Sequence, residues 1–157
     1  MRMSMDNRLY MDCPEGFRRL SEEELSKMNL NAGGKALCIS DPVRHIVISV
    51  VCAKVNALSA WLMGTREAAG SMERHIRKRM KPFSYEWLDN VKRDIDGQVA
   101  RGFDYEYLVK GIHMTGESLV VKMEEDIFYF HLYARKVRKQ ESFEVFNEIL
   151  DGTVIAE

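Results

Sequence analysis

The stretch Arg74-His75-Ile76-Arg77-Lys78-Arg79-Met80-Lys81 gathers five cations in eight residues. At helical spacing Ile76 and Met80 turn inward, which leaves Arg74, Arg77, Lys78, Arg79 and Lys81 to the outer side. Guanidinium and ammonium groups clustered in this way suit an acidic protein surface, a nucleic-acid backbone or a phosphorylated ligand. The plainer reading is electrostatic: cations near a helix C-terminus complement its macrodipole and solvate its surface.

A second set is aromatic. Tyr85, Trp87, Tyr105, Tyr107, Tyr129 and Tyr133 each combine a large contact area with a polar tip, so they can line a pocket or a binding face as well as fill a core. Tyr105, Tyr107, Tyr129, His131 and Tyr133 form the candidate pocket of this set, between sheet and helix, for a small molecule or an enzyme's substrate.

Other chemistry is thinner. A nucleophile must be held against a base, and the G-x-S-x-G elbow that often presents one is absent. Cys52 or Ser49 with His131 is a pairing that only the fold could assemble, and packed strand residues are its plainer explanation. His45, His75, His113 and His131 are scattered, and neither H-E-x-x-H nor C-x-x-C occurs. No metal and no cofactor are therefore expected. Asn31-Ala32-Gly33-Gly34-Lys35 is glycine-rich with a lysine but does not lead into a helix, so it reads as an ordinary loop rather than a phosphate cradle. The carboxylates Asp104 and Glu106 fall on the polar side of a strand, and Glu124, Glu125 and Asp126 in a hairpin turn. Both groups are expected to be solvated.

The elements that must position these residues are legible from periodicity and turn chemistry. Arg8 to Cys13 reads as a first strand, closed by Pro14-Glu15-Gly16. Ser21 with Glu24 makes a capping box and Leu20 with Leu25 a staple, opening a short helix that Asn29, Asn31, Gly33 and Gly34 would end. Ala36 to Ser40 and His45 to Lys54 form a hairpin about Asp41-Pro42-Val43-Arg44. The apolar second strand calls for cover on both faces. From Leu58 to Met80 the pattern is helical, in two pieces if Gly64 and Gly70 interrupt it, with Ala69, Met72, Ile76 and Met80 as its inner stripe. Lys81-Pro82 stops it. Extended segments follow around Tyr85 to Leu88, Phe103 to Val109, Leu119 to Met123 and Ile127 to Arg135. A last helix over Glu141 to Leu150 buries Phe143, Phe146, Ile149 and Leu150, with Gly152 as its stop.

Strands joined as hairpins and helices with one apolar side give an α+β fold, an antiparallel β-sheet with helices packed on its faces as an α/β/α sandwich. At 157 residues the chain suits one domain, 1–157, with 1–7 poorly ordered and a folded core over about 8–151. Hydrophobic residues at 46% and charged residues at 30% are the balance of a globular protein. A net charge of -1 argues against non-specific binding to nucleic acid or membrane. No run is long and apolar enough for a signal peptide or a membrane span, which points to the cytoplasm. Cys13, Cys38 and Cys52 then read as reduced thiols, with Cys38 and Cys52 left open as a close pair on neighbouring strands.

Several of these features together resemble the PsbP-like superfamily, which includes the PsbP proteins of photosystem II, the Ran-binding Mog protein and many uncharacterised bacterial domains. The resemblance rests on the Pro14, Gly16, Phe17 turn, the hairpin at Asp41-Pro42 and the long middle helix. The Tyr105-x-Tyr107 and Phe128-Tyr129 strands and the Phe143, Phe146, Ile149, Leu150 helix complete it. It covers most of the chain and implies the architecture above together with a binding or accessory role without a shared catalytic site. An unidentified protein partner is the expectation that follows, with self-association as a further outcome.

Overall fold

The computed structural model describes residues 1–27, 35–54, 62–124 and 126–156. The glycine-rich loop at 31–34, the stop signals at Asn29 to Gly34, the first residues of the middle helical pattern up to 61, and Glu125 lie outside them.

Seven strands form the main sheet: β3 (Arg18–Arg19), β4 (Ala36–Asp41), β5 (Ile46–Lys54), β6 (Glu86–Ile95), β7 (Gln98–Val109), β8 (Ile112–Lys122) and β9 (Asp126–Arg135). Their spatial order is β3-β4-β5-β9-β8-β7-β6 and each neighbouring pair is antiparallel. The β6–β7 and β7–β8 hairpins turn on Asp96-Gly97 and Lys110-Gly111. All four residues have positive φ, the backbone of the tight turn whose twist matches a right-twisted ribbon. Glycine at the second place of each turn accepts that geometry without a Cβ penalty.

Helix α1 (Glu22–Lys27) starts as a capping box. The Ser21 amide donates to Glu24 Oε1 at 3.0 Å and the Glu24 amide to Ser21 Oγ at 3.2 Å. Leu20 and Leu25 bury together against Cys38. Helix α2 (Thr65–Met80) is preceded by Gly64 and runs through Gly70 without a break. The second interruption expected from glycine is absent because one such residue costs only about 1 kcal/mol, and the buried stripe Ala68, Met72 and Ile76 repays it. A 3-10 turn at Lys81–Phe83 ends the element at Pro82. Helix α3 (Lys139–Asp151) buries Val145, Phe146, Ile149 and Leu150, and Gly152 stands at its end.

The two helices take opposite faces of the sheet. Alternation along β9 sends Phe128, Phe130, Leu132 and Ala134 toward α3, and Ile127, Tyr129 and Tyr133 toward α2. The α3 layer is shared with a second, three-stranded sheet of order β1-β2-β10, made of β1 (Arg2–Met5), β2 (Leu9–Asp12) and β10 (Val154–Ile155). Residues 1–7, expected to be poorly ordered, are thus largely a strand. Met3 and Met5 join the core with Leu9, Met11 and Ile155, and that burial offsets the ordering of an otherwise polar segment. The ordered chain likewise extends past residue 151.

Asp126, expected in a solvated turn, begins β9 instead. It is 5% exposed, and its carboxylate accepts a charge-assisted bond from Arg8 Nη2. Arg8 also exchanges backbone contact with Ala156, whose amide donates to the Arg8 carbonyl at 2.7 Å. One side chain therefore links the N-terminal hairpin to the main sheet. Arg8→Ala leaves a buried carboxylate without its partner, and a loss of about 2 kcal/mol is expected in urea unfolding. Adding Asp126→Asn should return part of that loss. If the double variant is as unstable as the sum of the single ones, the pair contributes nothing.

Candidate functional site

The face of the sheet under α2 holds most of the chemistry. Register places Ser49, His131 and Ser118 in one cross-strand row over β5, β9 and β8, and the next row contains Tyr133, Gly116, Tyr105 and Trp87. Ser118 Oγ and His131 Nδ1 share a hydrogen bond of 2.7 Å. Burial pushes His131 down to about 4, with the nearby Arg79 guanidinium adding to the effect. The imidazole is therefore neutral at pH 7. Tyr105 packs between Tyr85, tilted against it at 5.5 Å between ring centroids, and Tyr107, stacked on it at 5.7 Å. Its ring lies where a Cβ on residue 116 would be, 2.6 Å from Tyr105 Cζ. The expected pocket residues Tyr105, Tyr107, Tyr129, His131 and Tyr133 do share this face. Tyr105, Tyr107 and His131 are buried, whereas Tyr129 and Tyr133 are half-buried, so the set forms a packed aromatic layer beneath α2.

The thiols are placed by the same alternation. Cys38 pairs with Ser49 and lies on the His131 side, whereas Cys52 pairs with Phe128 and joins the core on the α3 side. Cys52 therefore cannot meet His131 or Cys38, and both cysteines are free. Burial pushes Cys38 up to about 12 and raises Cys52, the condition of an unreactive thiol. Ser49 stands beside His131, but its Oγ is buried with no hydrogen-bond partner. Among the described residues no group of three or more His, Cys, Asp or Glu has the arrangement to hold a metal ion.

On the opposite face the carboxylates depart from expectation. Asp104 faces Glu117 directly across β7 and β8. Glu117 is 5% exposed, Asp104 is half-buried, and Asp104 Oδ1 has no partner. Burial pushes Glu117 up to about 8, with Asp104 adding to it, and burial also raises Asp104. Burial and the mutual repulsion of two carboxylates so placed favour the protonated form of the pair over two solvated anions. Glu106 is held by Lys136 at 3.0 Å and Lys139 at 3.7 Å.

Two grooves flank α2. The first, of about 490 Å³, is lined by Arg74, Arg77, Lys78 and Lys81 with Ser84 and Tyr85. Glu73 accepts from the Tyr85 hydroxyl at 2.7 Å and from Arg77 Nη2 at 2.5 Å, so Tyr85 and Arg77 are fixed on one carboxylate. Arg79 is exposed and acts on His131 and Tyr133. It is absent from this groove's lining, so the five cations do not all serve one surface.

The second groove, of about 460 Å³, lies over β6 and β7 beside the first half of α2, with Arg66, Glu73, Trp87, Asn90, Arg101 and Phe103 in its wall. Trp87 and Asn90 would face opposite sides of a regular strand. A register shift between Trp87 and Asp89 turns both toward α2, opposite Tyr105 and Phe103. Period-2 reading cannot see that shift, and so Asn90 carried no signal in the sequence.

Among the described residues no helix is long and apolar enough to cross a membrane. No family model matches the sequence, and no curated protein matches it. Solved structures do. The solution structure of cyanobacterial PsbP (CyanoP) from Synechocystis sp. PCC 6803 superposes with a TM-score of 0.68 at 16% identity, over 99% of this chain and 91% of that one. LpqN of Mycobacterium tuberculosis, involved in cell envelope biogenesis, gives 0.63 at 14% identity over 95% and 83%. At such identity the likeness speaks for backbone architecture alone. With its antiparallel sheet between α2 and α3, the chain has the PsbP-like fold.

Proposed function

We propose that this chain is a non-enzymatic binding or accessory domain that takes an acidic segment of a protein partner on the groove of Arg74, Arg77, Lys78 and Lys81. The observation that carries the reading is charge concentration. The whole chain has a net charge of -1, yet this one groove is lined by four cations. Arg77 alone of them is in an ion pair with a described residue. Such a local field steers an anionic partner to this groove, because the rest of the chain has more acids than bases. Tyr85, half-buried at the groove wall, adds the aromatic contact that protein interfaces favour. Against an enzymatic role stands the setting of Ser118 and His131, a nucleophile and base sealed in packed side chains, with an imidazole that burial makes a weak base. The three unbridged thiols suit a reducing compartment, the cytoplasm.

Fluorescence anisotropy with a short labelled Glu- and Asp-rich peptide tests the reading. Arg74→Glu with Lys78→Glu should weaken binding at least about tenfold, with an unchanged melting temperature. Arg79 is left alone because its charge acts on His131. Binding that ignores the charge reversal, or a single-stranded RNA that binds more tightly than the peptide, overturns the proposal.

A further inference from the structure

We infer that the groove between the first half of α2 and the β6–β7 hairpin is a second site, one that binds a small planar aromatic anion such as a nucleoside monophosphate or an aryl carboxylate. Its volume of about 460 Å³ lies within the range of roughly 300–1,000 Å³ typical of small-molecule sites. Its walls supply two kinds of contact that seldom coincide by packing alone. Arg66 on the helix and Arg101 on the sheet approach it from opposite sides, and neither forms an ion pair with a described residue. A pair of guanidiniums so placed grips a phosphate or carboxylate by charge-assisted bonds.

The second kind of contact is flat. Trp87 is 43% exposed, and the strand irregularity beside it aims the indole and the Asn90 amide at the same space. An indole face left to solvent is a stacking platform, and an amide beside it both donates to and accepts from the edge of a heteroaromatic ring. Phe103, buried at 1% exposure, closes the floor. Glu73, the acid of the wall, does not cancel the arginines, because Arg77 and the Tyr85 hydroxyl already hold its carboxylate.

The groove stays open because α2 presents Gly70 to it. A Cβ there would meet nothing closer than Arg74 Nη1 at 3.7 Å. Any larger side chain at this position would occupy space that the fold leaves empty, and glycine in a helix interior otherwise costs stability. That cost is one the chain bears without a packing reason.

Fluorescence of Trp87 in a Trp61→Phe background, titrated with AMP, adenosine, inorganic phosphate and benzoate, tests the site. Saturable quenching by AMP or by benzoate supports it, and the stronger of the two identifies the anion as phosphate or carboxylate. Adenosine and inorganic phosphate should each bind at least about tenfold more weakly than the stronger aromatic anion. Arg101→Gln should weaken that anion's binding about tenfold. Gly70→Leu, which favours the helix while filling the groove, should abolish it with no loss of melting temperature. Quenching by none of the four, inorganic phosphate binding as tightly as either aromatic anion, or binding that survives Gly70→Leu overturns the inference. The two readings can fail separately, because the titrations here keep Arg74 and Lys78 and the acidic-peptide experiment keeps Arg66, Gly70 and Arg101.

Discussion

Gly102→Ala is expected to cost more than about 4 kcal/mol, most of the stability of a chain at the low end of the ordinary range. A Cβ at this position in β7 would stand 1.7 Å from the Ser118 carbonyl oxygen and 2.9 Å from Leu119 Cα. Both are backbone atoms of β8, so no rotamer change relieves the collision and the strands must part. Gly70→Ala is the contrasting case. The added methyl has only ordinary contact at 3.7 Å, and the helix should gain about 0.5–1 kcal/mol. Chemical denaturation of both variants beside the parent reads the difference. A Gly102→Ala protein within about 1 kcal/mol of the parent would show that the close approach of β7 and β8 is not a constraint. Failure to obtain folded Gly102→Ala, with Gly70→Ala behaving normally, is the same expectation at its limit.

Glu117→Gln should stabilise the protein by about 3 kcal/mol at pH 7 and flatten its dependence on pH. In the unfolded chain Asp104 and Glu117 titrate from 3.8 and 4.5, whereas in the fold burial pushes Glu117 up to about 8. Between those limits the folded state binds the extra proton. Stability therefore falls as pH rises, by up to about 1.4 kcal/mol per unit, and levels off above pH 8. Glutamine keeps the shape, can donate to Asp104 and has no proton to lose. Unfolding measured from pH 5 to 9 should show a downward slope in the parent and a nearly level line in the variant. Equal slopes would mean that the two carboxylates do not hold the extra proton.

The architecture was legible where local chemistry and burial agree. Ser21 with Glu24, the hairpin at Asp41-Pro42, and the alternation of Phe128 and Phe130 with Tyr129 and Tyr133 all occur as their spacing requires. What escaped depends on register, which no single strand encodes. Asp104 reads as one polar residue among alternating aromatics until β8 sets Glu117 opposite it. Cys38 and Cys52 lie on paired strands, yet the hairpin register sends them to opposite faces. Met3 and Met5 alternate with Arg2 and Ser4, a pattern too short and too poor in β-branched residues to announce a strand. It is held by pairing with β2 and by the core beneath it. At the candidate sites the basic cluster and the tyrosines could be named from their spacing. The groove beside Trp87 could not, because a strand irregularity is what brings Asn90 to the same face.

The pairing of Ile155 with Leu9 and of Val154 with Tyr10 joins residues far apart along the chain. A chain emerging from the ribosome completes β2 early, but the last strand of that small sheet is translated only after the other elements. Until then the oily underside formed by Met3, Met5, Leu9 and Met11 lacks its final cover, and a nascent chain halted before residue 154 exposes that surface to chaperones and proteases.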